Sequence, residues 1–117
     1  MADYGLAVTW GEAKAGREKK AIELFGEAVA FNEKLVANGG MERWDVVGFE
    51  PIGSAPAGVM RYYGTAAQTE ALVTSEEFSR LIGRGQLTLD SFGFRRFVTG
   101  QALMEEVGRY SSAIDAL

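Results

Sequence analysis

Two hydrophobic periodicities alternate along this chain of 117 residues, and their order restricts the folds that it can adopt. A period of two residues, typical of strands, runs through four segments, at residues 4–10, 43–51, 59–65 and 86–98. In the first segment Leu6, Val8 and Trp10 share one face. Pro51 is predicted to end the second strand, and residues 52–58 are predicted to form a long loop.

A period near 3.6 residues, typical of helices, separates these segments. Residues 16–38 predict a long helix, because Ile22, Phe25 and Asn32 recur on one stripe. The stretch at residues 38–40 contains two glycines and supplies a left-handed end.

Shorter helices are predicted from capping signals. One capping box opens at Thr65, and a second opens at Thr74 with Glu77 as its partner. Gly83 and Gly85 are predicted to end the second of these helices, so that a strand resumes at residue 86.

A terminal helix is predicted to begin at Thr99 as its N-cap. Its apolar residues step by four and three, and they are Leu103, Val107, Tyr110, Ile114 and Leu117.

The resulting order, β-α-β-β-α-β-α, matches a ferredoxin-like α+β fold with an extra C-terminal helix. We expect one domain over residues 1–117, with a four-stranded antiparallel sheet and helices on one side of it. The last two strands carry apolar side chains on both sides, since Met60 and Tyr62 oppose Tyr63, and Phe94 opposes Phe97. We therefore expect a homodimer, or a larger assembly, that packs sheet against sheet. In the alternative, the terminal helix folds over the open side of its own sheet, although its narrow apolar stripe would also suit docking on a neighbouring chain.

Two segments also carry a resemblance to known proteins. GREKKAIELF at residues 16–25 and SEEFSRL at residues 75–81 resemble an uncharacterised bacterial family of the dimeric α/β-barrel superfamily, and the resemblance extends over most of the chain. That superfamily includes cofactor-independent monooxygenases, isomerases, haem-handling enzymes and regulatory ligand binders. The resemblance implies a dimer, whereas the histidine that several branches use has no counterpart here.

The chain contains no histidine and no cysteine, which removes most familiar catalytic groups. A Ser-His-Asp triad, a cysteine nucleophile and the preferred ligands of zinc are all excluded. The acidic pairs at residues 76–77 and 105–106 are adjacent in sequence, so their members do not share a helical face. We therefore expect no metal site and no cofactor.

The net charge of −4 argues against nucleic acid as a partner. No apolar run approaches the roughly 20 residues of a membrane helix, and the first residues lack a signal-peptide pattern. We expect a cytoplasmic protein that binds neither nucleic acid nor membrane.

Arg61 is the first candidate site residue. In a strand face beside Tyr63, it needs either a carboxylate partner, Asp45 or Glu50, or an anionic ligand. Arg96 is expected on the face of the last strand that could join Arg61 near a cavity.

Aromatic residues supply the other candidates. Trp10 and Trp44, with Tyr62 and Tyr63, are predicted to line an apolar pocket between sheet and helices, although packing alone would also explain them. The ligand would be a small anionic or aromatic molecule.

Three functions remain open at this point. The favoured one is a module that binds a small molecule or has a structural role, in which Trp10 and Trp44 line an exposed groove. The second is a cofactor-independent monooxygenase-like or isomerase-like enzyme, in which Arg61 and Tyr63 polarise a planar aromatic substrate in a deep cavity. The third is an oligomeric scaffold without ligand, in which Arg61 pairs with a carboxylate.

Overall fold

A computed structural model describes residues 3–50 and 57–117. Over these residues the chain forms a four-stranded antiparallel sheet of order β2-β3-β1-β4 with four helices, consistent with the predicted ferredoxin-like α+β fold. The elements are β1 (Tyr4–Trp10), α1 (Glu18–Ala37), β2 (Arg43–Gly48), β3 (Gly58–Gly64), α2 (Ala66–Thr74), α3 (Glu76–Thr88), β4 (Gly93–Val98) and α4 (Gly100–Asp115).

The register of the strands assigns each side chain to one of two sides of the sheet. Leu6 on the central strand β1 lies opposite Tyr62 of β3 and Arg96 of β4, and these three point towards α1, α2 and α3. The side that faces away from these helices is called the open face here. It is formed by Gly5, Ala7, Thr9, Arg43, Asp45, Val47, Val59, Arg61, Tyr63, Arg95 and Phe97.

The hydrophobic core lies between the sheet and the first three helices. Leu6 is fully buried at its centre, beside Met60 and Tyr62 of β3. Phe78 of α3 packs against the ring of Tyr62 with a centroid distance of 6.1 Å, and its burial contributes about 1.5–3 kcal/mol to stability. The core is therefore built on the side of β3 that carries Met60 and Tyr62, which the alternation of the sequence placed on one face.

The predicted end of α1 and the predicted start of α2 are both confirmed. Asn38 is the C-cap of α1, and Gly39 follows it with a positive φ of 76°. The capping box of α2 is complete, because Thr65 Oγ1 accepts from Gln68 N at 3.1 Å while Gln68 Oε1 accepts from Thr65 N at 2.8 Å.

The cap of α3 lies one residue later than predicted. Ser75 Oγ accepts from the backbone N–H of Phe78 at 3.2 Å, so Ser75 rather than Thr74 is the N-cap. The Thr74 hydroxyl instead donates to the carbonyl of Glu70 at 2.9 Å, within the last turn of α2. The prediction that Glu77 closes a capping box was therefore wrong.

The end of α3 also differs from the prediction. The helix continues through Gly83 and Gly85 to Thr88, and the last strand begins at Gly93 rather than at residue 86. Gly85 is buried, and a Cβ built on it would lie 2.3 Å from the ring of Phe92. This glycine is required by close packing against an aromatic ring, not by a chain reversal.

In the described part of the chain, the hydrogen bonds that join the terminal helix α4 to the rest of the fold come from its first turn. Thr99 is its N-cap position, as predicted, but the carboxylate of Asp3 accepts the hydrogen bond from Ala102 N, at 3.3 Å. Ala102 is the one buried residue of α4 among those described, and Tyr110 is 70% exposed. The alternative in which this helix covers its own sheet is therefore wrong.

The predicted loop at residues 52–58 and the predicted strand end at Pro51 fall largely outside the described residues. Among the helices that are described, none combines the length and the apolar character needed to cross a bilayer.

Candidate ligand cavity between α1 and α3

An apolar cavity of about 350 Å³ lies between α1, α3 and the helix-facing side of the sheet. Val8 and Met60 form its floor on β1 and β3, and Phe92 lies at one end. Among the described residues, no side chain that lines it is charged. A cavity of this volume is at the lower end of the range found for sites that bind small molecules.

Small residues at two places leave this space open. Ala21 and Ala28 of α1 face the cavity at positions where larger side chains would fill it. Beyond the end of β1, Gly11 and Ala13 continue the wall, and Ala13 forms an isolated β-bridge with Leu89. The cavity therefore exists because these side chains are small, on a helix stripe that otherwise packs on the sheet.

The mouth of the cavity exposes apolar side chains to solvent. Ile22 is 75% exposed and Phe25 is 43% exposed, although both lie on the stripe that the sequence assigned to packing. The ring of Trp10 meets Phe25 edge to face, with a centroid distance of 6.3 Å. An aromatic molecule that entered here would meet ring edges and ring faces at the mouth.

Two polar side chains near the cavity are the phenol of Tyr62, which lines it, and the buried amide of Asn32, which does not. In the described part of the chain, the acceptor of the Tyr62 hydroxyl is the sulfur of Met60, at 3.9 Å. Asn32 is fully buried, and its Nδ2 donates to the same sulfur at 3.5 Å. No donor among the described residues reaches Asn32 Oδ1. Both polar side chains are thus under-satisfied in an apolar surrounding, which costs free energy.

Burial raises the pKa of Tyr62 to about 12, and a hydrogen bond with the Asn32 side chain opposes this increase. Tyr62 therefore keeps its proton at neutral pH and acts as a hydrogen-bond donor, not as a base. A charged ligand would lose its hydration in this cavity without meeting an opposite charge. The chemistry of the walls thus favours a neutral, apolar molecule with one hydrogen-bond acceptor.

The predicted pairing of the two tryptophans in one groove was wrong. Trp10 lines the cavity, and it lies at the end of β1 opposite Gly58. Trp44 lies on the same side of the sheet, but on edge strand β2 opposite Tyr62, where it packs against the core and does not line the cavity.

Arg61 lies on the open face, away from the cavity, and forms an ion pair with Asp45. Its Nε and Nη2 donate to the two carboxylate oxygens at 2.7 and 3.0 Å, and these hydrogen bonds are the main reason that the pKa of Arg61 is raised. The sequence left open whether Arg61 pairs with a carboxylate or binds an anionic ligand. The structure contains the carboxylate pair, with Asp45 rather than Glu50 as the partner. Tyr63 lies beside this pair, with the guanidinium of Arg43 3.6 Å above its ring.

Arg96 does not join Arg61. It lies opposite Leu6 on the helix-facing side, and its Nη1 is 2.6 Å from a carboxylate oxygen of Glu70 in α2. Of the two arginines on β4, Arg95 is the one that shares a side with Arg61, since both lie opposite Ala7. The predicted site residues are therefore divided between two sides of the sheet, and a ligand-binding role for each of them stays a prediction.

Tyr62 and Trp10 were both predicted to line an apolar pocket between sheet and helices, and both lie in the cavity wall. Two residues at this site were not selected from the sequence, since Met60 was assigned to packing and Asn32 was treated as one position of an apolar stripe. The available signal was Asn32 itself, because a polar residue on the buried stripe of a helix needs a partner or a function.

Comparison with known proteins supports the fold and adds no activity. No family model matches this chain, and no curated protein matches it. Among solved structures, the chain is similar to NE2512, a protein of unknown function from Nitrosomonas europaea. The two share 21% sequence identity with a TM-score of 0.59, over 84% of this chain and 89% of that one. At this identity, the similarity concerns a small α+β fold with a four-stranded antiparallel sheet.

Proposed function

We propose that this protein binds a small, neutral, largely apolar molecule in the cavity between α1 and α3. A planar aromatic molecule with one carbonyl group fits best, since Tyr62 would donate to that carbonyl. The observation that carries the proposal is the apolar cavity of about 350 Å³ that is lined by Tyr62, a residue whose hydroxyl donates only to a sulfur among the described residues. A ligand acceptor would replace this weak bond to the sulfur of Met60 by a stronger one.

Two other predictions receive less support from this geometry. An anionic ligand would need a cation, but Arg61 points to the opposite side of the sheet and is already paired with Asp45. The enzyme alternative assigned polarisation to Arg61 and Tyr63, which both lie on the open face. Tyr62, with a pKa of about 12, is poorly suited to proton transfer near neutral pH. Binding is therefore the better supported function.

Membership of the dimeric α/β-barrel superfamily is also a proposal. Its support is the strand order β2-β3-β1-β4 together with the resemblance of the segments at residues 16–25 and 75–81. The cytoplasmic location expected from the sequence stays a prediction.

A matched pair of ligands tests the binding site. We suggest titrating 2-acetylnaphthalene and 2-ethylnaphthalene, which differ in one carbonyl group, into a Trp44→Phe variant in which Trp10 is the remaining tryptophan. Quenching of Trp10 fluorescence should saturate with both ligands. The acetyl compound should bind about 2- to 10-fold more tightly, as one hydrogen bond provides. In Tyr62→Phe this preference should disappear.

Two substitutions on the same helix serve as test and control. Ala28→Leu fills the cavity and should weaken binding of both ligands at least about tenfold. Ala37→Leu makes the same chemical change at an exposed position in the last turn of α1, outside the cavity lining, and should leave binding unchanged. Absence of saturable quenching, or equal effects of the two substitutions, would contradict the proposal.

A further inference from the structure

Two hydrogen-bond donors converge on the thioether sulfur of Met60. Asn32 Nδ2 lies 3.5 Å from this sulfur, and the Tyr62 hydroxyl lies 3.9 Å from it. All three side chains are buried. A thioether is a weak acceptor, so neither donor gains a strong hydrogen bond from it. A stronger acceptor at this place would therefore be stabilised by groups that the fold already holds there.

Met60 is buried, but a small molecule can reach it from the cavity. The residue is 4% exposed, and it forms part of the cavity floor below the mouth at Ile22 and Phe25. The cavity measures about 350 Å³, whereas one water molecule occupies about 30 Å³ in the liquid. A small neutral oxidant such as hydrogen peroxide therefore has room beside Met60, and it carries no charge that the apolar walls would exclude.

Oxidation of the sulfur would supply the stronger acceptor. The sulfur gives an electron pair to one oxygen of hydrogen peroxide, the O–O bond breaks, and an S–O bond forms. The second oxygen leaves as water after it takes the proton from the transferred oxygen. The sulfur is oxidised by two electrons and the peroxide is reduced. The product, methionine sulfoxide, carries a polar oxygen on a chiral sulfur.

The two donors lie in different places relative to the cavity. Tyr62 lines the cavity, whereas Asn32 does not line it and is fully buried. Asn32 therefore reaches the sulfur from the interior, and a peroxide would approach from the cavity side. An oxygen added from that side would accept a hydrogen bond from the Tyr62 hydroxyl. Because the sulfoxide sulfur is chiral, addition from one side favours one epimer.

We propose that Met60 is a site of selective oxidation by a peroxide, and that the sulfoxide oxygen accepts a hydrogen bond from Tyr62 in the cavity wall. A sulfoxide usually disrupts a core because it leaves a polar group among apolar side chains. Here the hydroxyl of Tyr62 satisfies it. The modified cavity would contain a polar acceptor in place of a thioether, with the Tyr62 hydroxyl already engaged. Neither step requires a bound ligand.

Treatment of the folded full chain with hydrogen peroxide, followed by tryptic digestion and tandem mass spectrometry, tests the proposal. Met41, Met60 and Met104 fall in separate tryptic peptides, so their oxidation rates are measured in one sample. Met104 is 62% exposed and reports the oxidation of a free side chain. Met41 is 1% exposed and does not line the cavity, so its oxidation requires opening of the fold. Met60 should be oxidised at least about tenfold faster than Met41.

A pair of substitutions on β3 tests the role of the hydroxyl. Tyr62→Phe keeps the ring and removes the donor, and it should slow oxidation of Met60 by about 2- to 10-fold relative to Met104, as one hydrogen bond provides. Tyr63→Phe makes the same chemical change on the open face and should leave this ratio unchanged. The rate of Met41 in each variant reports any change in the opening of the fold.

The stereochemistry of the product gives a second readout. Methionine sulfoxide reductases A and B each reduce one sulfoxide epimer, so treatment of the peptides with each enzyme measures the ratio of epimers. At Met60 one epimer should exceed the other by about 2- to 10-fold, whereas Met104 should give similar amounts of both.

Three results would overturn the proposal. Equal oxidation rates of Met60 and Met41 would mean that both react only when the fold opens. Equal Met60 rates in Tyr62→Phe and Tyr63→Phe would mean that the hydroxyl does not assist. Equal amounts of both epimers at Met60 would mean that the oxygen is not added from one side. The assay contains no naphthalene, so its outcome does not depend on whether the cavity binds that ligand.

Discussion

Replacing Asn32 by leucine is expected to stabilise the protein, although this residue is fully buried. An amide oxygen without a donor costs about 1–3 kcal/mol in the interior. Leucine has the same number and branching of side-chain heavy atoms and removes this cost, while the interactions that are lost are the weak contact from Nδ2 to the sulfur of Met60 and the interaction with the Tyr62 hydroxyl. We expect the free energy of unfolding to rise by about 1–2 kcal/mol.

Urea unfolding followed by circular dichroism measures this change directly, and a thermal melt should show a higher Tm by roughly 4 °C per kcal/mol. Asn32→Ala is the control, because it also removes the amide but leaves a void. The alanine variant should be less stable than the leucine variant by about 2–3 kcal/mol.

A leucine variant that loses 1 kcal/mol or more, measured against an error of about 0.3 kcal/mol, would refute this reasoning. That result would mean that the amide of Asn32 has a strong partner in solution.

Two further predictions concern the central strand and the buried phenol. Gly5→Ala should cost at least about 2 kcal/mol, because a Cβ there would lie 2.1 Å from the Tyr62 carbonyl and 2.2 Å from the Phe97 ring, whereas Gly26→Ala in open space on α1 should add about 0.5–1 kcal/mol. Urea unfolding of both variants should thus give changes of opposite sign, and equal signs would contradict the packing described for β1. For Tyr62, whose pKa rises from 10.0 to about 12 on folding, the stabilisation is complete below pH 10. It should be lost as pH rises towards 12, by up to about 3 kcal/mol, because only the unfolded state ionises in that interval. Tyr62→Phe should lack this alkaline decrease in the free energy of unfolding, and an identical decrease in wild type and variant would contradict the burial of the hydroxyl.

Local patterns were sufficient to predict most of the architecture. The strand Tyr4–Trp10 has the predicted bounds, and α1 differs from the prediction by two residues at its start. Both depend on side-chain periodicity and on a glycine-containing helix end, which are properties of adjacent residues. Gly85 was wrongly predicted to end the helix. The glycine is needed there because the ring of Phe92 lies against it, and a sequence pattern does not show where that ring lies.

The site was harder to predict because it depends on register and on side-chain size. Alternation alone shows that Arg95 and Arg96 point to opposite sides of β4. It does not show which of them shares a side with Arg61, since that depends on the pairing of both strands with Ala7. The cavity likewise arises from small residues such as Ala28, because the sequence predicts that the whole stripe of α1 packs on the sheet.

The open face is also less apolar than alternation suggested. Its central row consists of Asp45, Arg61, Ala7 and Arg95, so charge as well as hydrophobicity determines what can cover it. The sheet thus separates the apolar cavity on one side from a charged surface on the other.

Intermolecular nuclear Overhauser effects between 2-acetylnaphthalene and assigned methyl groups test that separation most directly. The ligand protons should show contacts with the methyl groups of Met60 and Ile82, which line the cavity, and none with those of Val47 and Val59 on the open face. Contacts with Val47 or Val59 in place of Met60 and Ile82 would contradict the assignment of ligand binding to the helix-facing side.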